Sequence, residues 1–104
     1  MEINVQELDV MRKDGASYML LDIREPEEVA ICAIDGSVHI PMNTLPDNLA
    51  RVPKDRPVVV MCHVGGRSWQ VTQWLRAQGY QNVVNLMGGI SAWAAEIDPQ
   101  MPTY

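Results

Sequence analysis

The strongest chemical feature of the sequence is a cysteine at the start of a glycine-containing loop. Cys62 follows the β-branched run Val58–Met61 and precedes the loop residues His63, Val64, Gly65, Gly66, Arg67 and Ser68. The two glycines allow the backbone to curl and to point its N–H groups inward. Arg67 adds a positive charge, as does the N-terminal end of a helix predicted to begin near Ser68. These features favour a thiolate at position 62, which is the nucleophilic form of cysteine.

The length of this loop indicates which anion it would hold. Four residues separate Cys62 from Arg67, whereas cysteine-dependent phosphatases have a longer spacing that forms a cradle for tetrahedral phosphate. The shorter loop is better suited to one extra sulfur atom on Cys62. A nucleotide-binding loop is not indicated, because no Lys-Ser/Thr pair follows the glycines. The alternative for Cys62 is a buried small hydrophobic residue, as free cysteines commonly are.

Length and charge exclude some classes of partner. A chain of 104 residues predicts one domain. Thirteen acidic and eight basic residues give a net charge of −5, which argues against nucleic acid as a partner. Residues 1–50 carry ten acidic and three basic side chains, and residues 51–104 carry three acidic and five basic ones. An anionic substrate is therefore expected to bind in the second half of the chain.

The number of cysteines and the first residues of the chain indicate the cellular compartment in which the protein would be found. Two cysteines thirty residues apart match neither a disulfide framework nor a zinc finger, so we expect no metal site and no cofactor. The chain opens without a basic segment followed by an apolar run, and it has no long apolar segment. These patterns predict a soluble, cytoplasmic protein in a reducing compartment, with no membrane partner.

The elements that must position the loop alternate between strands and helices. Asn4 with Glu7 predicts a capping box for a first helix that ends at Gly15. Strands are predicted within residues 18–23, 37–40, 58–61 and 83–86, and helical segments after Glu25 and within 46–50, 68–79 and 90–96. Apolar strands of this kind favour a parallel sheet covered on both faces, with ligands bound beyond the carboxyl ends of the strands. Four segments are expected to meet there, namely residues 22–24, 41–42, 62–68 and 87–89.

Four motifs, in order along nearly the whole chain, resemble those of the single-domain rhodaneses, a sulfurtransferase family. Residues 22–28 (DIREPEE) resemble the family segment D-x-R-x-x-x-E, and residues 36–41 (GSVHIP) resemble G-A-x-x-I-P. Residues 62–68 (CHVGGRS) resemble the active loop C-x-x-G-x-R-S/T. Residues 79–83 (GYQNV) and 88–93 (GGISAW) resemble the closing segment G-[FY]-x-x-V…GG-x-x-x-W.

The resemblance implies a fold and a reaction. The fold is a rhodanese-like α/β domain spanning residues 1–104, with an open parallel β-sheet of about five strands, helices on both faces and an extended tail at 98–104. The reaction is a ping-pong sulfur transfer, in which the Cys62 thiolate takes a sulfur atom from thiosulfate or a persulfide donor. Cyanide or a thiol, including a protein thiol of the thioredoxin type, then removes it.

The resemblance also implies roles for the neighbours of Cys62. The loop residues His63, Val64, Gly65 and Gly66 would bind the sulfur substrate. Arg67 would brace the loop and supply positive potential, and Ser68 would cap the following helix while hydrogen-bonding to nearby groups. Asp22 and Arg24 would support the loop from behind, although a purely structural ion pair at a strand end is an equal alternative.

Several alternatives stay open at the level of sequence. The fold could serve as a sulfur carrier without turnover or as a protein-interaction module, or the loop could serve a phosphate or arsenate enzyme, which its length disfavours. Cys32 is either a thiol that resolves a Cys62 persulfide or buried filler. The tail from Asp98 to Tyr104, which contains two prolines, either crosses the domain or is loose.

Overall fold

The computed structural model describes all 104 residues as alternating strands and helices. The strands are β1 (Glu2–Ile3), β2 (Met19–Asp22), β3 (Val38–His39), β4 (Val58–Met61) and β5 (Val83–Leu86). The helices are α1 (Val5–Lys13), α2 (Pro26–Ile31), α3 (Gly66–Ala77) and α4 (Gly89–Glu96), with a 3₁₀ helix over Met42–Arg51. None of these helices is both long enough and apolar enough to cross a bilayer.

The strands form a single parallel sheet in the order β1-β5-β4-β2-β3. The predicted parallel sheet of about five strands is therefore confirmed. The four strands located in the sequence are all present, and the fifth is β1, where Glu2 lies opposite Asn85. A two-residue strand at a sheet edge shows no periodicity, so the sequence gives no signal for it.

Both faces of the sheet are covered, as predicted. Alternate residues of β4 point to opposite faces: Val58 and Val60 pack in one apolar cluster, and Val59 and Met61 pack in the other. The first cluster includes side chains from α3 and the 3₁₀ helix, and the second includes side chains from α1 and α4. Strand β4 is thus buried on both sides, which holds the residue that follows it, Cys62, in a fixed position.

Two predictions about helix starts can be compared with the structure. The capping box at α1 is confirmed, because the Asn4 side chain accepts from the Glu7 N–H and the Glu7 carboxylate accepts from the Asn4 N–H. Helix α3, however, begins at Gly66 rather than near Ser68. Gly65 adopts φ +111°, a left-handed conformation that turns the chain into the helix two residues early. Ser68 therefore lies inside the first turn, and its predicted role as a helix cap is wrong.

The tail crosses the domain, which was one of its two predicted alternatives. The N–H groups of Ile97 and Asp98 both bond to the Trp93 carbonyl, and Met101 packs on the α1–α4 face. The tail is not extended over its whole predicted length, because the Met101 N–H closes a turn on the Asp98 carbonyl. The last three residues make no backbone hydrogen bond and run back toward the carboxyl ends of the strands, where the side chain of Tyr104 holds them.

Candidate active site

Cys62 lies at the centre of its loop with its sulfur surrounded by hydrogen-bond donors. The residue is 1% exposed. Its Sγ accepts from the Gly65 N–H at 3.1 Å, the Ser68 N–H at 3.4 Å and the Ser68 hydroxyl at 3.3 Å. Because α3 begins at Gly66, these groups belong to the first turn of that helix and to the residue before it. The early helix start is what aims them at the sulfur.

Two opposing effects set the ionisation of this thiol. Burial raises the pKa of Cys62, because it removes water from the charged form. The Ser68 hydroxyl and the N–H groups of Ser68, Gly65 and Arg67 stabilise the thiolate and outweigh burial, so the net pKa lies below the ordinary value. A buried cysteine of the inert kind would show the reverse. The arrangement can therefore hold a nucleophilic sulfur, or a second sulfur atom that carries negative charge.

Helix α4 clamps the backbone of the same loop. The Ile90 and Ser91 N–H groups donate to the carbonyls of Cys62 and His63, each at 3.0 Å. Gly89 has φ +58°, and a Cβ at this position would lie 2.5 Å from both carbonyl oxygens. Only glycine allows this close approach. The prediction that residues 87–89 meet the Cys62 loop is confirmed, and this contact is what joins them.

Arg67 forms an ion pair that the sequence reasoning missed. Its guanidinium donates two hydrogen bonds of 2.8 Å to the Glu28 carboxylate on α2. These bonds from Arg67 lower the pKa of Glu28 to about 2 and raise the pKa of Arg67. The predicted positive charge of Arg67 is therefore paired with a carboxylate, and its role in bracing the loop and supplying positive potential stays a prediction. Glu28 is the last residue of the motif D-x-R-x-x-x-E quoted above, but the motif alone does not indicate its partner.

Asp22 and Arg24 form a fully buried pair at the end of β2. Arg24 donates to both Asp22 carboxylate oxygens, at 2.9 and 2.7 Å. It also donates to the Cys32 carbonyl at 2.8 Å and lies 3.9 Å from the Cys32 Sγ. Neither residue of the pair hydrogen-bonds to the Cys62 loop. Arg24 reaches that loop only indirectly, through Tyr104 and through Glu28, whose carbonyl accepts from Arg24 at 3.4 Å.

Tyr104 is the residue of this region that no sequence pattern indicated. Its hydroxyl accepts from Arg24 at 3.1 Å and donates to the Glu28 carboxylate at 2.9 Å. Its ring stacks on His63, with centroids 4.0 Å apart and planes 13° apart. The two hydroxyl bonds join residues 80 and 76 positions apart, and the stacked rings are also distant in sequence, so only the three-dimensional course of the tail reveals these contacts.

The remaining loop residues form its outer surface. The Val64 side chain is 63% exposed, and Gly66 is also exposed. The structure therefore brings together the predicted loop and the predicted segment that contains Gly89, and it adds Glu28 and Tyr104 to them. No three His, Cys, Asp or Glu side chains form a cluster that could hold a metal ion.

Comparison with known proteins decides the family. A family model described as a rhodanese-like domain matches residues 4–96.

The chain belongs to the rhodanese-like domain family.

This rhodanese-like domain is similar to proteins of its own size and to parts of longer ones. It is 42% identical over 93 residues to a protein named sulfurtransferase from Allochromatium vinosum, covering 89% of this chain and 87% of that protein. The crystal structure of a rhodanese-like domain protein from Staphylococcus aureus superimposes with a TM-score of 0.86 at 32% identity, covering 99% of this chain and 97% of the other.

Some relatives are much longer than this chain. The chloroplastic rhodanese-like/PpiC domain-containing protein 12 of Arabidopsis thaliana is 36% identical over 110 residues, which cover 99% of this chain but only 37% of that protein. The rhodanese-like domain thus spans about a third of that relative.

Proposed function

We propose that this rhodanese-like domain is a sulfurtransferase that carries a sulfane sulfur on Cys62. The observation that carries the proposal is the set of three hydrogen-bond donors around the buried Cys62 Sγ, which would stabilise a negatively charged sulfur there. The relative named sulfurtransferase supports the same reaction class.

The first half-reaction loads the cysteine. The Cys62 thiolate attacks the outer sulfur of thiosulfate, or the sulfane sulfur of a persulfide donor. A new S–S bond forms, and the bond between the outer sulfur and the donor breaks, with its electron pair leaving on sulfite or on the donor thiolate. The persulfide carries the negative charge, and the N–H groups of Gly65 and Ser68 and the Ser68 hydroxyl stabilise it.

The second half-reaction returns the thiolate. Cyanide or an acceptor thiolate attacks the outer sulfur of the persulfide, and the S–S bond to Cys62 breaks with its electron pair on Cys62. The product is thiocyanate or a new persulfide. In a cell the acceptor would be a small thiol or a protein thiol of the thioredoxin type. A reducing compartment such as the cytoplasm suits this chemistry, because both cysteines are free thiols.

Steady-state sulfur transfer from thiosulfate to cyanide tests this proposal, with Cys62→Ala and Cys32→Ala as a matched pair. Cys32 is the only other cysteine and is also buried. We expect thiocyanate formation to fall to background in Cys62→Ala and to persist in Cys32→Ala. A persulfide that forms without turnover would favour the sulfur-carrier alternative. Activity that survives in Cys62→Ala would contradict the site assignment.

A further inference from the structure

Asn85 is the polar residue of strand β5, whose other residues are valine and leucine. It is 1% exposed and lies opposite Val60 of β4. Alternate residues of a strand share a face, so Asn85 lies on the same face of the sheet as Val83, which packs in the apolar cluster that contains Cys62. A buried amide in such a place lowers stability unless its polar atoms are hydrogen-bonded.

The Asn85 amide makes its contacts through its nitrogen. Nδ2 donates to the Glu2 carboxylate at 2.8 Å and to the Gly65 carbonyl at 3.4 Å. Oδ1 is buried and has no hydrogen-bond partner. Both neighbours of the nitrogen are acceptors, so the amide must present its NH₂ group to them. Asn85 thus connects the edge strand β1 to the residue that precedes α3.

Gly65 is held through both its N–H and its carbonyl. The N–H donates to the Cys62 Sγ at 3.1 Å, and the carbonyl accepts from the Trp69 N–H at 3.1 Å as well as from Asn85. Gly65 has φ +111°, and a Cβ there would lie 3.3 Å from the Gly88 nitrogen. A glycine can adopt many other backbone conformations. The bond from Asn85 is a side-chain contact that favours this one, in which the N–H points at the sulfur.

We propose that Asn85 is a positioning residue for Cys62, because its amide binds the Gly65 carbonyl and so keeps the Gly65 N–H directed at the sulfur. This inference rests on the proposed function, in which the Cys62 sulfur is the reacting group. Asn85 acts through Gly65 and does not itself bond to the sulfur. The two groups of Ser68 that donate to the sulfur belong to α3 and make no bond to Asn85.

The test is the pH profile of iodoacetamide alkylation of Cys62, in a Cys32→Ala background that leaves one thiol. Asn85→Leu replaces the amide by an apolar side chain of similar size. We expect the midpoint to rise by about half a pH unit, so that the rate below the midpoint falls about threefold. Thr72→Val is the matched control and should not shift the midpoint, because the Thr72 hydroxyl on α3 is also buried but has no partner.

Amide hydrogen exchange, followed by NMR in the same variants, shows whether the effect acts through Gly65. In Asn85→Leu the Gly65 N–H should exchange with solvent at least about fivefold faster than in the unaltered protein. The Ser68 N–H should exchange at an unchanged rate. A general loosening of the fold would accelerate the exchange of both N–H groups and would contradict the proposal, as would an equal shift of the midpoint in Thr72→Val.

The outcomes separate this inference from the proposed function. If the unaltered protein forms no persulfide on Cys62 with any sulfur donor, the proposed function fails, whereas the Gly65 exchange rates still test the contact that Asn85 makes. If the persulfide forms but the midpoint and the Gly65 exchange rate are unchanged in Asn85→Leu, only the role of Asn85 is wrong. Should Asn85→Leu fail to fold in a urea titration, Asn85→Ala removes the amide without adding bulk and decides the question by the same two measurements.

Discussion

Replacing Ser68 by alanine tests the account of how Cys62 is activated. The change removes the hydroxyl that lies 3.3 Å from the sulfur and leaves the Ser68 and Gly65 N–H groups in place. Ser68 is completely buried, so water does not replace the lost donor. The pKa of Cys62 should therefore rise, because burial still opposes the thiolate while one of the groups that stabilise it is gone.

The size of the effect follows from the strength of one such bond. A hydrogen bond to a charged group contributes about 1.5–3 kcal/mol, and part of that also acts on the neutral thiol. If the bond stabilises the thiolate by about 1.4 kcal/mol more than it stabilises the neutral thiol, its loss raises the pKa of Cys62 by about one unit. At a pH below both pKa values, the thiolate population and its alkylation rate should fall about tenfold.

Alkylation by iodoacetamide as a function of pH measures this directly. The experiment is made in a Cys32→Ala background, so that Cys62 is the only thiol that reacts. Ser68→Thr is the matched control, since it keeps the hydroxyl and should keep the midpoint of the pH profile. An identical midpoint in Ser68→Ala and the unaltered protein would refute the reasoning.

Three further predictions concern residues that hold the site together. Gly89→Ala places a Cβ 2.5 Å from the Cys62 carbonyl oxygen and keeps a positive φ. The free energy of unfolding measured in urea should therefore fall by about 2 kcal/mol or more. An unchanged free energy of unfolding would show that the contact between α4 and the loop has room for a Cβ. Because the pKa of Glu28 is lowered to about 2, its contribution to stability is complete above about pH 5 and is lost as the pH falls toward 2. Glu28→Gln should therefore lose less stability than the unaltered protein across that pH range in urea titrations, and parallel curves would count against the ion pair. Asp22→Asn leaves the charge of Arg24 buried without its partner and should lower the free energy of unfolding by about 3 kcal/mol, whereas a loss well under 1 kcal/mol would mean that the pair is not a structural anchor.

The sequence predicted the parts of the fold that have local or periodic signals. Such signals lie in residues close together in the sequence. They are the capping box at Asn4, the β-branched run before Cys62 and the glycines at the turns. The convergence of four segments at one end of the sheet follows from the parallel arrangement itself. These signals indicated the Cys62 loop as the candidate site, and the four motifs that resemble the rhodaneses indicated the family, which the family model confirms.

The features that the sequence did not reveal depend on distant contacts. The pairing of Arg67 with Glu28 joins residues 39 positions apart, and the Tyr104 contacts join still more distant ones. The start of α3 was misplaced by two residues because the deciding factor is the backbone conformation of Gly65, which a glycine permits but does not require. Of the two roles predicted for Ser68, the helix cap is therefore lost, and the hydrogen bonding to a nearby group is present as its bonds to the sulfur.

Mass spectrometry of the intact protein after exposure to thiosulfate tests the central claim most directly. We predict a stoichiometric adduct of one sulfur atom, located on Cys62 by peptide mapping, which disappears when cyanide is added and thiocyanate appears. The adduct should be absent from Cys62→Ala and present in Cys32→Ala. If thiosulfate and persulfide donors leave Cys62 without an added sulfur, or if the adduct maps to Cys32, the account of this site is contradicted.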